Sequence, residues 1–165
     1  MKKKYQNKYR IDSPRLQKWD YASNAAYFIT ICTQNREHFF GNVVDGNMQL
    51  SEIGKIAENE WHKTLELRPD MNLQLDAFVV MPNHVHGIVI IGKNEFNSGY
   101  RDAMHCVSKN KFGPQSKNLA SIIRGYKIGV TVNAKKKILI GRGNLVIMSM
   151  LFVMTNHLIG SKIIF

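Results

Sequence analysis

Cysteine is scarce in this chain of 165 residues: Cys32 and Cys106 are the only two, far apart and without Cys-x-x-Cys spacing. That leaves no basis for a disulfide framework or a cysteine zinc site, and it suits a reducing cytoplasm. Long apolar runs are missing too. The longest, Leu145 to Met154, reaches about half of the roughly 20 residues that a membrane-spanning helix requires. The opening Met-Lys-Lys-Lys-Tyr-Gln-Asn-Lys is not followed by the apolar core of a secretion signal. Acidic residues are few, 12 against 23 Lys and Arg, for a formal net charge of +11, and none follows Asp102. Such an excess favours a polyanionic partner through counterion release, nucleic acid first, with the second half the more basic surface. Trp61 is the last tryptophan and Tyr126 the last tyrosine. There is no internal repeat, and the length fits one domain.

The most informative stretch is Phe78 to Ile91. Leu73 to Met81 alternates and then turns continuously apolar, predicting a strand whose middle is buried on both faces. Pro82-Asn83 breaks it, because proline lacks the ladder N–H and asparagine tolerates turn geometry, and Val85 to Ile91 resumes a β-rich run. An antiparallel hairpin is expected. Side chains at i and i+2 of a strand share a face, so His84 and His86 look the same way while Val85 points into the opposite layer. Two such imidazoles can supply two neighbouring ligands to a divalent metal, leaving other positions for a further polar ligand, water and substrate oxygens. As plain polar residues on a half-exposed sheet they would need no such role.

Residues 1–20 are basic and polar and read as a tail. Ala26 to Thr33 alternates with β-branched and aromatic residues and predicts a strand. Phe39 to Leu50 predicts a small hairpin turning at Asp45-Gly46-Asn47. Ser51 is the expected N-cap of a helix with Ile53, Ile56, Ala57, Glu60, Trp61 and Leu65 on its inner face, Trp61 as a core anchor, and Arg68-Pro69-Asp70 at its end. Lys93 to Lys117 is loop-like. Asn118 to Asn133 predicts a second helix, despite two glycines, with Leu119, Ile122, Ile123, Tyr126 and Val130 on one side. This order describes an α+β domain, an antiparallel sheet with helices on one face.

Met81-Pro-Asn-His-Val-His-Gly87, flanked by apolar strands, resembles the signature of the HUH single-tyrosine transposases, and within them the IS200-like and REP-associated tyrosine transposase branch. Tyr27-Phe-Ile-Thr-Ile-Cys-Thr33 running into Asn35-Arg36, and Leu119-Ala-Ser-Ile-Ile123, extend the likeness over residues 19–137. The resemblance implies a ferredoxin-like fold over residues 21–137 with the histidine pair on a central strand. It implies a transposase, a DNA strand transferase that cleaves and rejoins single-stranded hairpin DNA through a 5′-phosphotyrosine, with Mg²⁺ or Mn²⁺ at His84 and His86. Lys109, Lys111, Lys117, Arg124 and Lys127 are the candidate DNA-binding residues. A membrane has no part in this picture.

The family's nucleophile lies in a C-terminal Tyr-Ile-x-x-Asn-Pro helix, after a Trp-Gln-x-x-Phe/Tyr-x-x-His strand, and neither pattern occurs in this chain. Tyr126 reads as a core aromatic and only as a fallback nucleophile; Tyr100, in the polar loop, is weaker still. Residues 138–165 have no helical or strand period. Read one nucleotide earlier, codons allowed for them can encode Trp-Gln-x-x-Phe-x-x-His and then Asn-Tyr-Ile, so a frameshift is expected, with loss of one strand, one helix and the polar third metal ligand. A catalytically dead DNA-binding remnant is therefore the alternative to an active transposase. A general metal-dependent phosphodiesterase is a weaker third, since Glu37, Asp76 and His105 show no distinguishing spacing.

Overall fold

In the computed structural model, residues 19–98, 116–138 and 150–154 are described. Strand β1 (Ala25–Cys32) is followed by a one-turn 3-10 segment (Gln34–Arg36), then by β2 (Gly41–Val44) and β3 (Asn47–Leu50). Helix α1 (Glu52–Glu66), strands β4 (Leu73–Met81) and β5 (His84–Ile91), helix α2 (Leu119–Ile138) and strand β6 (Met150–Met154) complete the described elements. Two sheets result. The larger has the order β4-β5-β1-β6, every neighbouring pair antiparallel; β2 and β3 form a separate ribbon. With the ribbon set aside, the succession β1-α1-β4-β5-α2-β6 in this spatial order is the ferredoxin-like arrangement.

Local chemistry explains the main elements. Asp45 and Gly46 both have positive φ, 49° and 76°, which the tight turn of the β2–β3 ribbon requires. Ser51 caps α1: its hydroxyl accepts from the Gly54 N–H at 3.1 Å and donates to the Phe39 carbonyl at 2.6 Å, so one side chain joins the helix start to the preceding loop. The β1 residues Tyr27, Ile29 and Ile31 are fully buried, while Phe28, Thr30 and Cys32 between them are only half-buried. One sheet face therefore carries the core. Val85 and Val89 join it from β5, Ala57 and Trp61 from α1, and Leu119, Ile122, Ile123, Tyr126 and Val130 from α2. Each fully buried branched aliphatic side chain contributes about 1.5–3 kcal/mol relative to exposure.

Several expectations are corrected. Among the described strands β4 lies at an edge, its residues exposed or half-exposed apart from Val80, so that of its apolar middle only Val80 is buried. A continuous apolar run signals burial, but it does not distinguish an edge next to a core from a centre. Leu65, placed by its spacing on the inner face of α1, is 39% exposed, whereas Thr64 is buried with its hydroxyl donating to the Glu60 carbonyl at 3.1 Å. The sheet does not lose its fourth strand: Met150–Met154 lies along β1, from Phe28 opposite Met154 to Cys32 opposite Met150. An open edge offers unpaired backbone groups to any apolar, β-prone segment that can reach it.

Candidate functional site

The histidines stand on β5, an interior strand, and on the sheet face away from the helices. Val85 and Gly87, which alternate with them, face the core; Trp61 of α1 lies directly against Gly87. A Cβ on Gly87 would meet the indole ring, so this glycine is required by close approach. The imidazole centroids of His84 and His86 are 4.7 Å apart with their planes at 77°. Opposite them on β1 stand Cys32 and Thr30, in register with His84 and His86 respectively; on β4 the partners are Met81 and Val79. The Phe28 ring stacks on His86 at 5.2 Å.

Each imidazole has a partner at Nδ1. His84 Nδ1 is 2.7 Å from Asn83 Oδ1, and His86 Nδ1 is 2.8 Å from Thr30 Oγ1. The turn holding Asn83 is fastened to the end of β1: Thr33 donates its N–H to the Asn83 carbonyl at 2.9 Å, and its hydroxyl stands 3.0 Å from the same oxygen. Asn83 Nδ2 in turn donates to the Arg36 carbonyl at 3.3 Å. Asn35 and Arg36 both adopt left-handed backbone, φ 53° and 58°, a costly geometry for residues with a Cβ. Burial lowers the pKa of His84, as do, to a smaller degree, His86 and Arg36; burial also lowers that of His86. Both rings therefore favour the neutral form, the form in which an imidazole nitrogen ligates a metal.

The remaining candidates are not gathered there. Tyr126 is buried at 4% exposure on the opposite side of the sheet, edge-on to Trp61 at 5.7 Å between centroids. Burial raises its pKa, with Glu60 adding to the effect, and among the described residues its hydroxyl has no hydrogen-bond partner. As a nucleophile at the histidines it is ruled out by position, since the sheet stands between. Arg124 is exposed and Lys127 half-buried, both on α2 and thus on the helix layer. Lys117, at the start of α2, pairs with Asp70 and lies 4.7 Å over the Phe96 ring. None of these three shares the histidine face. Lys109, Lys111, Tyr100 and His105 lie outside the described residues. Among the described residues no third His, Cys, Asp or Glu joins the pair into a metal-binding cluster. Glu37 and Asp76 thus supply no ligand to it.

Thr30, Asn83 and Arg36 had drawn no functional expectation. Asn83 reads in the sequence as a turn former and Thr30 as one β-branched strand residue among several; only the register between β1 and β5 sets Thr30 against His86.

No family model matches the chain. A Haemophilus influenzae protein, described as an uncharacterized protein, is 35% identical over 125 residues, which cover 75% of this chain and 68% of that protein. The chain belongs to that protein's family. A solved structure of a REP-associated tyrosine transposase bound to a REP hairpin is similar to this chain with a TM-score of 0.44 and 14% identity. The match covers 86% of this chain and 62% of that one. At that level it carries no argument about chemistry, and the fold assignment rests on the strand order itself. Among the described residues no helix is long and apolar enough to cross a membrane.

Proposed function

We propose that this chain is a DNA-binding domain of the transposase type, in which His84 and His86 hold Mg²⁺ or Mn²⁺ against a phosphate of single-stranded hairpin DNA. The observation that carries this reading is the pairing of two imidazoles on one open face, each with Nδ1 engaged and Nε2 left outside the described hydrogen bonds. The donor set suits a divalent ion that keeps water and substrate oxygens as its other ligands. When bound, such an ion polarises phosphoryl oxygens. His84 and His86 orient the phosphate, Phe28 closes the side of His86, and the +11 net charge draws in the polyanion. DNA cleavage and rejoining by a tyrosine, with transposition and recombination as its outcome, is the activity that the motif resemblance implies. A cytoplasmic location belongs to the same reading.

The second reading, binding without strand transfer, is favoured by one observation: Tyr126 is sealed beneath the sheet. Incubating the full chain with a single-stranded hairpin oligonucleotide and Mn²⁺, then resolving it on a denaturing gel, separates the two. A covalent adduct supports strand transfer by a tyrosine other than Tyr126. Salt-sensitive binding without an adduct supports the second reading. Binding that is absent, or indifferent to salt between roughly 50 and 200 mM, a range over which phosphate-directed binding weakens steeply, refutes both. His84→Ala and His86→Ala should each abolish Mn²⁺ binding while changing stability by no more than about 1 kcal/mol, because both rings are half-exposed.

A further inference from the structure

We propose that Asn83 and Thr30 are positioning residues that fix the tautomers of His84 and His86, protonating Nδ1 and presenting the Nε2 lone pair of both rings on the open face. For its metal arm this inference rests on the function proposed above.

The argument begins at Arg36. Its carbonyl accepts from Asn83 Nδ2 at 3.3 Å, and a carbonyl oxygen can only accept, so the nitrogen end of the Asn83 amide must face it. Turning the amide over would set oxygen against oxygen. The other end, Oδ1, therefore faces His84 Nδ1 at 2.7 Å, and it too can only accept. A proton must then sit on His84 Nδ1, which leaves Nε2 with its lone pair. The left-handed turn at Asn35 and Arg36 is what brings the Arg36 carbonyl to Asn83. A strained pair of residues at the end of β1 thus reaches, through one amide, the ligating nitrogen of a histidine on β5.

His86 is held from the neighbouring strand. Its Nδ1 lies 2.8 Å from Thr30 Oγ1, on the residue directly across the β1–β5 ladder. The Thr30 hydroxyl can accept from Nδ1–H while its own hydrogen turns elsewhere, and the β-branched side chain has few rotamers from which to leave. With Phe28 stacked on the imidazole, the ring has little freedom to flip. Both rings then keep the same type of nitrogen, Nε2, unprotonated, on imidazoles whose centroids are 4.7 Å apart. Histidines that ligate metals commonly have their second N–H fixed in this way.

The test uses the full chain labelled with ¹⁵N-histidine and free of metal, at about pH 8, above the ordinary imidazole pKa of about 6.5. Long-range ¹H–¹⁵N correlation identifies the protonated nitrogen of each ring, with His84→Gln and His86→Gln for assignment. Both rings should show Nδ1–H and a bare Nε2. Asn83→Leu should return His84, and Thr30→Val should return His86, to Nε2–H, the tautomer free imidazole side chains prefer in water. Asn83→Asp and Thr30→Ser keep the acceptor and should keep the tautomer. Mn²⁺ affinity, read from the electron paramagnetic resonance of the free ion, should fall about 10–100-fold in Asn83→Leu and Thr30→Val and recover in Thr30→Ser. Nε2–H on either ring of the unaltered chain, or tautomers unmoved by Asn83→Leu and Thr30→Val, overturns the inference. Correct tautomers in a chain that binds no Mn²⁺ uphold the tautomer assignment and refute the metal reading instead.

Discussion

Replacing Gly87 by alanine tests the two-sided construction of the site. A strand glycine ordinarily gains from a methyl group, by roughly 0.5–1 kcal/mol, because the unfolded chain loses freedom. At Gly87 the sign should reverse. The new Cβ would lie 2.5 Å from Trp61 Cη2, closer still to Cζ2, and 3.0 Å from Phe78 Cδ2. The indole cannot easily retreat: it is stacked on Phe78 with centroids 4.6 Å apart and planes at 14°, and it meets the edge of Tyr126. Overpacking of a filled core costs about 1–3 kcal/mol, which outweighs the backbone gain. We expect a net loss of about 1–2 kcal/mol, seen as a melting temperature lower by roughly 2–8 °C.

Urea unfolding followed by far-ultraviolet circular dichroism measures this, with the midpoint shifting and the slope unchanged if only stability has altered. A companion variant, Trp61→Leu, supplies the control. In that background Gly87→Ala should cost less by about 1 kcal/mol or more, a coupling that contacting residues show and distant ones do not. A midpoint equal to or above that of the unaltered chain would refute the close approach of Trp61 to β5. The glycine directly after the second histidine would then have no steric cause.

Tyr126→Phe removes a buried hydroxyl that has no partner among the described residues, so stability should stay level or rise by up to about 1 kcal/mol; a loss larger than that in urea unfolding would mean the hydroxyl is bonded after all. Ser51→Ala should cost about 1 kcal/mol, since one hydroxyl both caps α1 and holds the Phe39 carbonyl, and an unchanged urea midpoint would contradict this. Hydrogen bonds from Lys55 and Lys137 hold the Glu52 carboxyl down to about 2, so its contribution is complete above the ordinary value of 4.5 and fades as pH falls towards 2. Glu52→Gln should therefore flatten the fall of melting temperature over that acid range at low salt. At high salt the two chains should converge, because the pairs are exposed; a difference that persists at about 1 M NaCl would contradict surface pairing.

Period and punctuation carried much of the fold into view. Ser51 before an apolar helix stripe, Asp45-Gly46 between short strands, and Pro82-Asn83 between apolar runs are local signals, and local physics decides those positions. Depth was less visible. Leu65 has the right spacing for the core, yet the buried stripe of α1 runs through Ala57, Glu60, Trp61 and Thr64 and leaves Leu65 beside it, and β4 is apolar yet lies at an edge among the described strands. The site divides along the same line. His84 and His86 stand out because their relation is within one strand, whereas Thr30 and His86 are 56 residues apart and meet only through pairing register. Basic residues on α2 show charge in a sequence but not the side of the sheet from which it acts; Arg124 and Lys127 emerge on the helix layer.

Strand β6 shows why an atypical tail can still finish a sheet. What β1 presents along that edge is backbone, N–H and C=O groups at fixed spacing, and a strand added there is held chiefly by main-chain hydrogen bonds. Such pairing asks little of the incoming sequence beyond β-propensity and the absence of proline, which Met150-Leu-Phe-Val-Met154 satisfies. If residues 138–165 are read from a shifted frame, edge pairing is the part of the fold they can restore, because it depends on the main chain. The chemistry is different. A nucleophilic tyrosine or a third metal ligand needs one particular side chain at one particular place, and a changed frame supplies that only by chance. Hydrogen exchange of the Ile29 to Ile31 amides can test the structural half of this argument. Alternate amides of this stretch face β5 and should stay protected. Loss of protection on truncation after Ile138, confined to those facing β6, would show β6 covering the edge; unchanged exchange would show that β1 gains nothing from it.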